Sequence, residues 1–518
     1  MVLADSTMWD LVSRRLTRPY VTVSSRDDAL RSRSVAVLSA AFAVVGLSLT
    51  SINEVTWEQR ALVFMMFTMS GWSYAGWRPD QSRRFPVYAM ISLVYALFFA
   101  LALFWVAPIS PSFLDQGKRF SEEALTASLR MVVLGLGSMW LGMRLGVARH
   151  VFDARRMPDI PASRLRSSWI RCLVVFGALG SFMYSIMNSL SGIRAVVIVL
   201  FWFVPLVPFA VLLDAYWARA ASATDKMLIG LFLVCRIGGG LGSGSLGSVV
   251  SLGFVIGASF VRARRAIPWS GVIITFCVML FLQPAKNEYR QRFYGDYQAT
   301  AFDRGAYWIG TSTELWSAFF RNGDGTVFAD LASRTVERAS LLTLTALVYD
   351  RTPQVVPFQR GATYKYMLIT LVPRLLWPDK PSVNDGNQVY QVAYGLTREN
   401  DLTSVSIAAG MLPEAFMNFG WIGVIVVMFF MGIVYETYQH CFFSAHSGRF
   451  AGAVGLALIM QVITIESQVA QYLGGIGQQL FLTCVLLLPV LRFSSTGWGS
   501  RTDRLNDNAL RLSSFRIR

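Results

Sequence analysis

Apolar residues in this chain are grouped into twelve blocks of about 15 to 22 residues that carry few or no charges, near the length that spans a bilayer as a helix. Because a bilayer interior leaves no backbone group unpaired, these blocks are predicted to be helices. Nine blocks are clear, and they begin near Val35, Ala61, Val87, Met131, Trp169, Ala195, Ile267, Ile422 and Ala451. Three are shorter or interrupted, at 227–235 with its continuation, 246–261 and 480–490.

The pattern predicts an all-α polytopic integral membrane protein with about 12 transmembrane helices. Residues 1–34 form a cytoplasmic segment, 35–282 a membrane domain, 283–420 a large loop, 421–491 the last spans, and 492–518 a basic cytoplasmic tail. The loop is too long, and too rich in aromatic and ionisable residues, to be a mere connection. We expect it to carry short amphipathic or re-entrant helices.

Composition supports this class and adds an orientation. Of 518 residues, 54% are apolar and 15% are charged, against about a quarter charged in soluble domains, which excludes a soluble enzyme. The net charge of +16 would suggest nucleic acid in a soluble protein. Here, however, 26 basic residues lie in alternate loops and the two termini, and four lie in the opposite short loops. The bias predicts that both termini are cytoplasmic and that the loop 283–420 faces outward.

Three parts of the outward loop have their own patterns. Residues 328–349 have helical spacing, with Arg334 and Arg338 on the same side. Residues 364–376 are apolar but too short to span, which is typical of a re-entrant or interfacial piece. Residues 377–387 consist of turn-forming residue types.

Several short motifs resemble a known family. The resemblance is carried by Lys286-Asn287-Glu288-Tyr289-Arg290, Pro357-Phe358, Gly361-Ala362-Thr363-Tyr364, Val372-Pro373-Arg374, Trp377-Pro378-Asp379-Lys380-Pro381, Glu414, Asn418-Phe419-Gly420 and Gly423. Residues 284–440 resemble the oligosaccharide repeat-unit polymerases, the Wzy-type O-antigen and exopolysaccharide polymerases of bacterial envelopes. The earlier apolar blocks resemble this family in number and hydropathy alone.

The resemblance implies a glycosyltransferase that needs neither metal nor cofactor, with an architecture like that of the multi-spanning GT-C enzymes. It implies transfer of a growing glycan from undecaprenyl diphosphate to a new lipid-linked repeat unit at the outer face of the bacterial inner membrane. Expected partners are undecaprenyl-diphosphate-linked glycans, membrane lipids, a chain-length regulator and a flippase, and no nucleic acid.

The chemistry requires cations for the leaving diphosphate, since negative charge develops there during transfer. Arg374, which interrupts the short apolar piece, and Lys380, in a double-proline turn, are the first candidates; an interfacial anchor and a solvated turn residue are their alternatives. Further candidates are Lys286, Arg290, Arg292, Arg334, Arg338 and Arg360. Pairing with nearby Glu288, Asp296, Asp330 or Glu337 would explain several of these equally well.

The acceptor hydroxyl must lose a proton, which calls for a carboxylate or a histidine. The histidines are His150, His440 and His446, all on the predicted cytoplasmic side, and the five cysteines lie in or beside apolar blocks, so no metal site is expected. The base is therefore sought among Glu414, Asp379 and Asp385. Helix-end placement of Glu414 and turn formation by the two aspartates are the alternatives.

Arg236 lies within an apolar block and precedes a glycine-rich run. A charge there is costly unless it is paired or hydrated, and the glycines would allow a broken helix that approaches a lipid phosphate. Close helix packing through small residues explains the glycines better. Two other functions stay open: a ligase of similar architecture, which usually relies on an outward histidine, and a transporter or flippase, favoured by Arg236.

Overall fold

The computed structural model describes residues 26–492 apart from gaps at 81, 84, 110–117, 155–156, 166, 183–193, 245, 294–298, 323–332, 334–335, 338–339, 371–376, 378–384, 399–406 and 408. This part of the chain consists of helices, connecting segments and isolated bridges, with no strand. The membrane-type helices before the outward segment are α1 Arg26–Leu49, α2 Trp57–Trp77, α3 Val87–Trp105, α4 Glu122–Arg144, α5 Val147–Val151, α6 Ser168–Gly180, α7 Arg194–Ile198, α8 Leu206–Trp217, α9 Ala223–Gly242, α10 Leu246–Arg264 and α11 Trp269–Leu282. A π-helical turn, Val199–Phe203, joins α7 to α8.

The remaining helices include those of the predicted outward loop. They are α12 Lys286–Phe293, α13 Ala301–Asn322, α14 Leu342–Arg351, α15 Lys365–Thr370, α16 Asp385–Ala393, α17 Met411–Phe443, α18 Arg449–Ile463 and α19 Val469–Leu487.

Local sequence signals set several helix starts. Thr56 and Gln59 form a reciprocal capping box at the start of α2, and Ser222 and Asp225 form another at the start of α9. Ser121 accepts a hydrogen bond from the Ala124 backbone N–H at the start of α4. Each cap pairs N–H groups that have no partner within the helix.

The core is centred on the packing of α4 against α17. Gly142 of α4 faces the backbone of Phe429 and Gly432, and Gly432 in turn faces the backbone of Met139, so a Cβ on either glycine would meet main-chain atoms. The small residues therefore let the two helix backbones approach closely, as at helix contacts in membranes. This pairing fixes α17, which carries the candidate site at its start.

Five helical segments in the described residues are long and apolar enough to cross a bilayer: Leu30–Leu49, Val87–Trp105, Glu122–Val151, Val196–Trp217 and Met411–Phe443. A sixth is possible if α11 and α12, which are bent by 53° at their junction, count as one span. The all-helical structure is thus confirmed, its five apolar segments are consistent with a membrane protein, and the full set of 12 spans stays a prediction. Each of the twelve predicted blocks coincides at least in part with a helix of the described residues.

The blocks at 227–235, 246–261 and 480–490 lie on helices α9, α10 and α19, except that residues 488–490 follow the end of α19, and none of these three helices is among the five long apolar segments. Some local predictions were wrong. A single helix over 328–349 does not form, since Ser340 and Leu341 are non-helical before α14 begins. The turn predicted over 377–387 ends early, because α16 starts at Asp385.

The last long helix also begins earlier than its apolar block indicates. Helix α17 starts at Met411 rather than near Ile422, and it is broken at Phe419 and Gly420, whose backbone angles are non-helical. The boundary predicted at residue 420 falls at this break. The residues before the break are buried, so the start of α17 belongs to the core and not to a connecting loop.

Candidate functional site

The break in α17 is the centre of the candidate site. Gly420 has φ +63° and ψ −147°, a conformation that is essentially restricted to glycine. A break inside a helix leaves backbone carbonyls without their usual N–H partners. Two of them, on Met417 and Asn418, accept hydrogen bonds from the backbone N–H groups of Gln359 and Arg360, at 3.0 and 3.1 Å.

These bonds hold a segment of the predicted outward loop, residues 357–364, here called the 357–364 turn. Gly361 adopts φ +90°, and a Cβ there would lie 3.1 Å from the Phe419 ring, so glycine lets the turn sit against the break. On the other side Gly420 lies close to Phe358, where a Cβ would be 3.3 Å from its ring. Sequence motifs more than 50 residues apart therefore form one structure.

Asn418 is the side chain that joins the two segments. It is fully buried. Its Nδ2 donates to the Thr363 hydroxyl at 2.9 Å and to the Glu414 backbone carbonyl at 2.8 Å, and its Oδ1 accepts from the Gly361 N–H at 2.9 Å. One amide thus pairs a helix carbonyl, a turn N–H and a turn hydroxyl, which fixes the turn relative to Glu414.

Glu414 lies one helical turn before Asn418 and is 0% exposed. Its Oε2 accepts a hydrogen bond of 2.8 Å from the Val469 N–H, the first residue of α19. The alternative explanation, an acid in the first turn of its own helix, is confirmed, since Glu414 lies in the first turn of α17. Its carboxylate also caps the N-terminus of α19. The positive end of the α19 dipole favours a negative charge at this position.

The other carboxylate oxygen, Oε1, makes no hydrogen bond of good geometry, and the Thr363 hydroxyl lies close enough to interact with the Glu414 carboxylate. Two further buried polar atoms near it are also unpaired, the hydroxyl of Tyr364 and Nε2 of Gln468, which precedes Val469. Buried polar atoms without partners are uncommon and are the groups that polar ligands or water satisfy. Glu414, Tyr364 and Gln468 thus carry one unpaired acceptor and two unpaired potential donors.

Tyr364 contributes an aromatic surface and a neutral donor. Its ring stacks on Phe419 with a centroid distance of 6.3 Å and an interplanar angle of 14°. Burial and the neighbouring Glu414 carboxylate raise the pKa of Tyr364 above its usual value, so the phenol stays protonated at neutral pH. A protonated phenol can donate a hydrogen bond to an oxygen-rich ligand.

Arg360 is the basic residue that the structure brings to this site. It is exposed, at the tip of the 357–364 turn, with φ +48°. A positive φ is strained for a residue with a side chain, and such strain is concentrated at functional positions. The Arg360 backbone is therefore held at the break in α17 by its N–H bond to the Asn418 carbonyl, while its side chain is exposed.

Other predicted basic residues lie elsewhere. Arg290 and Arg292 are exposed on α12, which packs against α13, and Lys286 is half-buried at its start. In the described residues neither arginine forms the ion pair with Glu288 that was one explanation for them, and Arg292 lies over the Phe293 ring, 6.0 Å from its centroid.

Arg236 has a structural environment that differs from the expectation. It is 4% exposed on helix α9, which ends at Gly242 within the glycine run, and Gly244 has φ +71° before α10 begins at Leu246. Its Nη2 donates to the carbonyls of Phe201 and Trp202 at 2.8 and 3.0 Å. These carbonyls belong to the π-helical turn, whose altered pairing leaves them available. Gly239 packs against the Ser181 backbone, as the packing explanation of the glycine run predicts.

The other predicted site residues lie outside the described residues: Arg334, Arg338, Arg374, Asp379 and Lys380. Asp385 begins α16, and its side chain also lies outside them. Among the described residues no group of three or more His, Cys, Asp or Glu side chains could hold a metal ion.

Sequence reasoning missed Asn418, Thr363, Gln468 and Val469 as site residues. Asn418 and Thr363 were part of the motifs, but nothing in their spacing shows that a side chain on one segment bonds a residue 55 positions away. Val469 acts through its backbone N–H, so its residue type gives no indication that it belongs to the site.

A family described as a domain of unknown function, DUF8712, matches residues 263–460. The match covers α11 to α17 and most of α18, and so includes the 357–364 turn, Glu414 and the break in α17. No curated protein matches the chain. No solved structure matches it either.

Proposed function

We propose that this protein is a membrane glycosyltransferase that polymerises undecaprenyl-diphosphate-linked oligosaccharide repeat units into O-antigen or exopolysaccharide at the outer face of the inner membrane. One observation supports the proposal most strongly. Two motifs that carry the family resemblance, 357–364 and 414–423, are hydrogen-bonded into one site that holds a buried carboxylate and an exposed arginine.

In the proposed reaction the acceptor hydroxyl attacks the anomeric carbon of the lipid-linked chain. A bond forms between the acceptor oxygen and that carbon, the bond from the carbon to the diphosphate oxygen breaks, and the diphosphate leaves with the bonding electrons. Glu414 Oε1 accepts the proton of the acceptor hydroxyl, since it is the carboxylate oxygen that makes no hydrogen bond of good geometry. Arg360, with Arg374 and Lys380, stabilises the departing diphosphate.

The burial of Glu414 sets a condition on this reaction. Because its side chain is 0% exposed, an acceptor reaches Oε1 only after the protein around it moves. The 357–364 turn is the segment suited to such movement, since it is held to α17 by a small number of hydrogen bonds. Closing over bound substrate would exclude water and so favour transfer over hydrolysis.

The transporter alternative depended on Arg236 and a broken helix. The Arg236 guanidinium donates to two backbone carbonyls of the π-helical turn, so its burial is explained by protein partners and does not by itself favour transport. A ligase would use the same site chemistry with a different acceptor. The assay below distinguishes the two by the acceptor that receives the glycan.

The test compares two glutamates of α17. Glu436, like Glu414, is buried and accepts a backbone N–H, that of Ala148 at 3.1 Å. Purified Glu414→Gln and Glu436→Gln proteins are supplied with undecaprenyl-diphosphate repeat units, and the lipid-linked products are separated by length. We expect a ladder from the wild-type protein and from Glu436→Gln, and none from Glu414→Gln, since glutamine keeps the hydrogen bond but cannot take a proton at neutral pH.

Three results would contradict the proposal. A ladder of normal length and rate from Glu414→Gln removes Glu414 as the base. Translocation of repeat units without lengthening, by the wild-type protein, identifies a transporter. Transfer of single units to a different lipid acceptor identifies a ligase.

A further inference from the structure

Helix α13, Ala301–Asn322, buries one face in a small separate core. Gly305, Trp308 and Ser312 are buried along this face, and Trp308 packs with Leu282 of α11 and Tyr289 of α12. This spacing of three and four residues is typical of a helix that lies on the protein with one side.

A second side of α13 is apolar and exposed. Phe302 is 83% exposed, Ile309 45% and Phe320 75%. Their spacings of seven and eleven residues place them on one line along the helix, here called the α13 apolar stripe. The charged residues Glu314 and Arg321 are exposed on another side. The helix therefore has a packed side, an apolar stripe and a polar side.

Two tryptophans give the direction of α13. Trp308 Nε1 donates to the Leu282 carbonyl at 2.8 Å, and Trp316 Nε1 donates to the Phe281 carbonyl at 3.2 Å. The donors are eight residues apart, about 12 Å along a helix, whereas the acceptors are consecutive residues. A helix running alongside α11 would reach acceptors equally far apart, so α13 lies across the end of α11.

The same helix also meets the end of α9. Ala301 lies against Gly242, the last residue of α9, and Leu241 is 3.6 Å from a Cβ placed on Gly305. By the predicted topology α9 and α11 both run outward, so their ends lie at one side of the membrane. Helix α13 thus contacts the ends of both helices.

The exposed side chains of α11 indicate whether lipid or water surrounds this part of the molecule. The helix has no charged residue, and Ile273, Ile274 and Phe276 are 58%, 62% and 58% exposed. A helix with apolar residues exposed on its sides is stable in lipid and not in water. The α13 apolar stripe, at the end of α11, therefore lies where the bilayer core meets its headgroups.

We propose that α13 is an interfacial helix that lies in the plane of the membrane and places its apolar stripe among the lipids of the outer leaflet. Its packed side faces the ends of α9 and α11, its stripe faces sideways into the lipid boundary, and its polar side faces water, as in amphipathic interfacial helices. This proposal does not depend on the transferase chemistry. It places the start of the predicted outward loop at the level of the lipid headgroups.

The test measures the surroundings of single nitroxide labels in lipid vesicles. Ile309→Cys and Phe320→Cys report on the stripe and Glu314→Cys on the polar side, each in a background without the five native cysteines. Retaining Cys277 alone, which is exposed on α11, gives a membrane reference. We expect labels at 309 and 320 to relax faster with oxygen than with a water-soluble nickel complex, as at 277, and the label at 314 to show the reverse.

Two results would overturn the proposal. Nickel accessibility at 309 and 320 equal to that at 314 means that the stripe faces water. Immobilised labels with spin–spin broadening mean that a second copy covers it. A second measurement uses the unmodified protein: a phospholipid with a photoreactive chain should label the tryptic peptide 305–321, and labelling of 266–286 without 305–321 would contradict the proposal.

Discussion

Replacing Asn418 by alanine should release the 357–364 turn from α17. The substitution removes the acceptor of the Gly361 N–H and the donor to the Thr363 hydroxyl. A buried polar group left without its partner costs about 1–3 kcal/mol. For two such groups, one of them half-buried, about 2–4 kcal/mol is lost from turn docking, or roughly 30- to 1,000-fold in the equilibrium for turn opening.

Hydrogen exchange of the protein in lipid measures this directly. The N–H groups of Gln359 and Arg360 donate to backbone carbonyls, so the substitution leaves their own acceptors in place. Faster exchange at these two amides in Asn418→Ala therefore reports release of the whole turn and not the loss of one bond. Trypsin supplies a second reading, since cleavage after the exposed Arg360 needs the turn to unfold locally.

The matched control is Asn53→Ala. Asn53 Nδ2 donates to the carbonyls of Leu103 and Val106 at the end of α3, at 2.8 and 3.0 Å, and the side chain is half-buried. This variant should lose a comparable number of hydrogen bonds without changing exchange at 359 and 360. Unchanged exchange at both amides in Asn418→Ala would refute the role of Asn418 as the residue that joins the two segments.

Two further substitutions test the geometry. Gly420→Ala should lower the melting temperature and reduce elongation of the glycan chain, because a φ of +63° costs about 1–3 kcal/mol with a side chain present. Gly46→Ala is the neutral control, since no atom lies near a Cβ at that position. Equal melting temperatures for the two variants would contradict the strain argument. Arg236→Ala should lower thermal stability by roughly 1.5–3 kcal/mol through loss of its bonds to backbone carbonyls. The length of polymer made per folded Arg236→Ala protein should not change. A normal melting temperature together with loss of polymer would instead indicate that Arg236 binds substrate.

The candidate site was only partly predictable. Glu414 and Arg360 were proposed from residue type and motif, and both lie at the break in α17. The motifs could not show that they form one site, because the chain between 364 and 414 has no pattern that fixes their distance. Arg236 illustrates the opposite case: a buried charge predicts a partner, but its partners are carbonyls, which every residue carries.

The hydrophobic pattern of the sequence determined the position of the helices, since an apolar block of membrane length has no other way to pair its backbone. The interruption of α17 at Gly420 was not predicted, because the apolar block was expected to begin only near Ile422. Which segment would fill the interruption was decided by tertiary structure alone. Backbone N–H groups of residues 359–360, an asparagine amide and the first N–H of α19 complete the site, and the geometry of such groups exists only once the helices have packed.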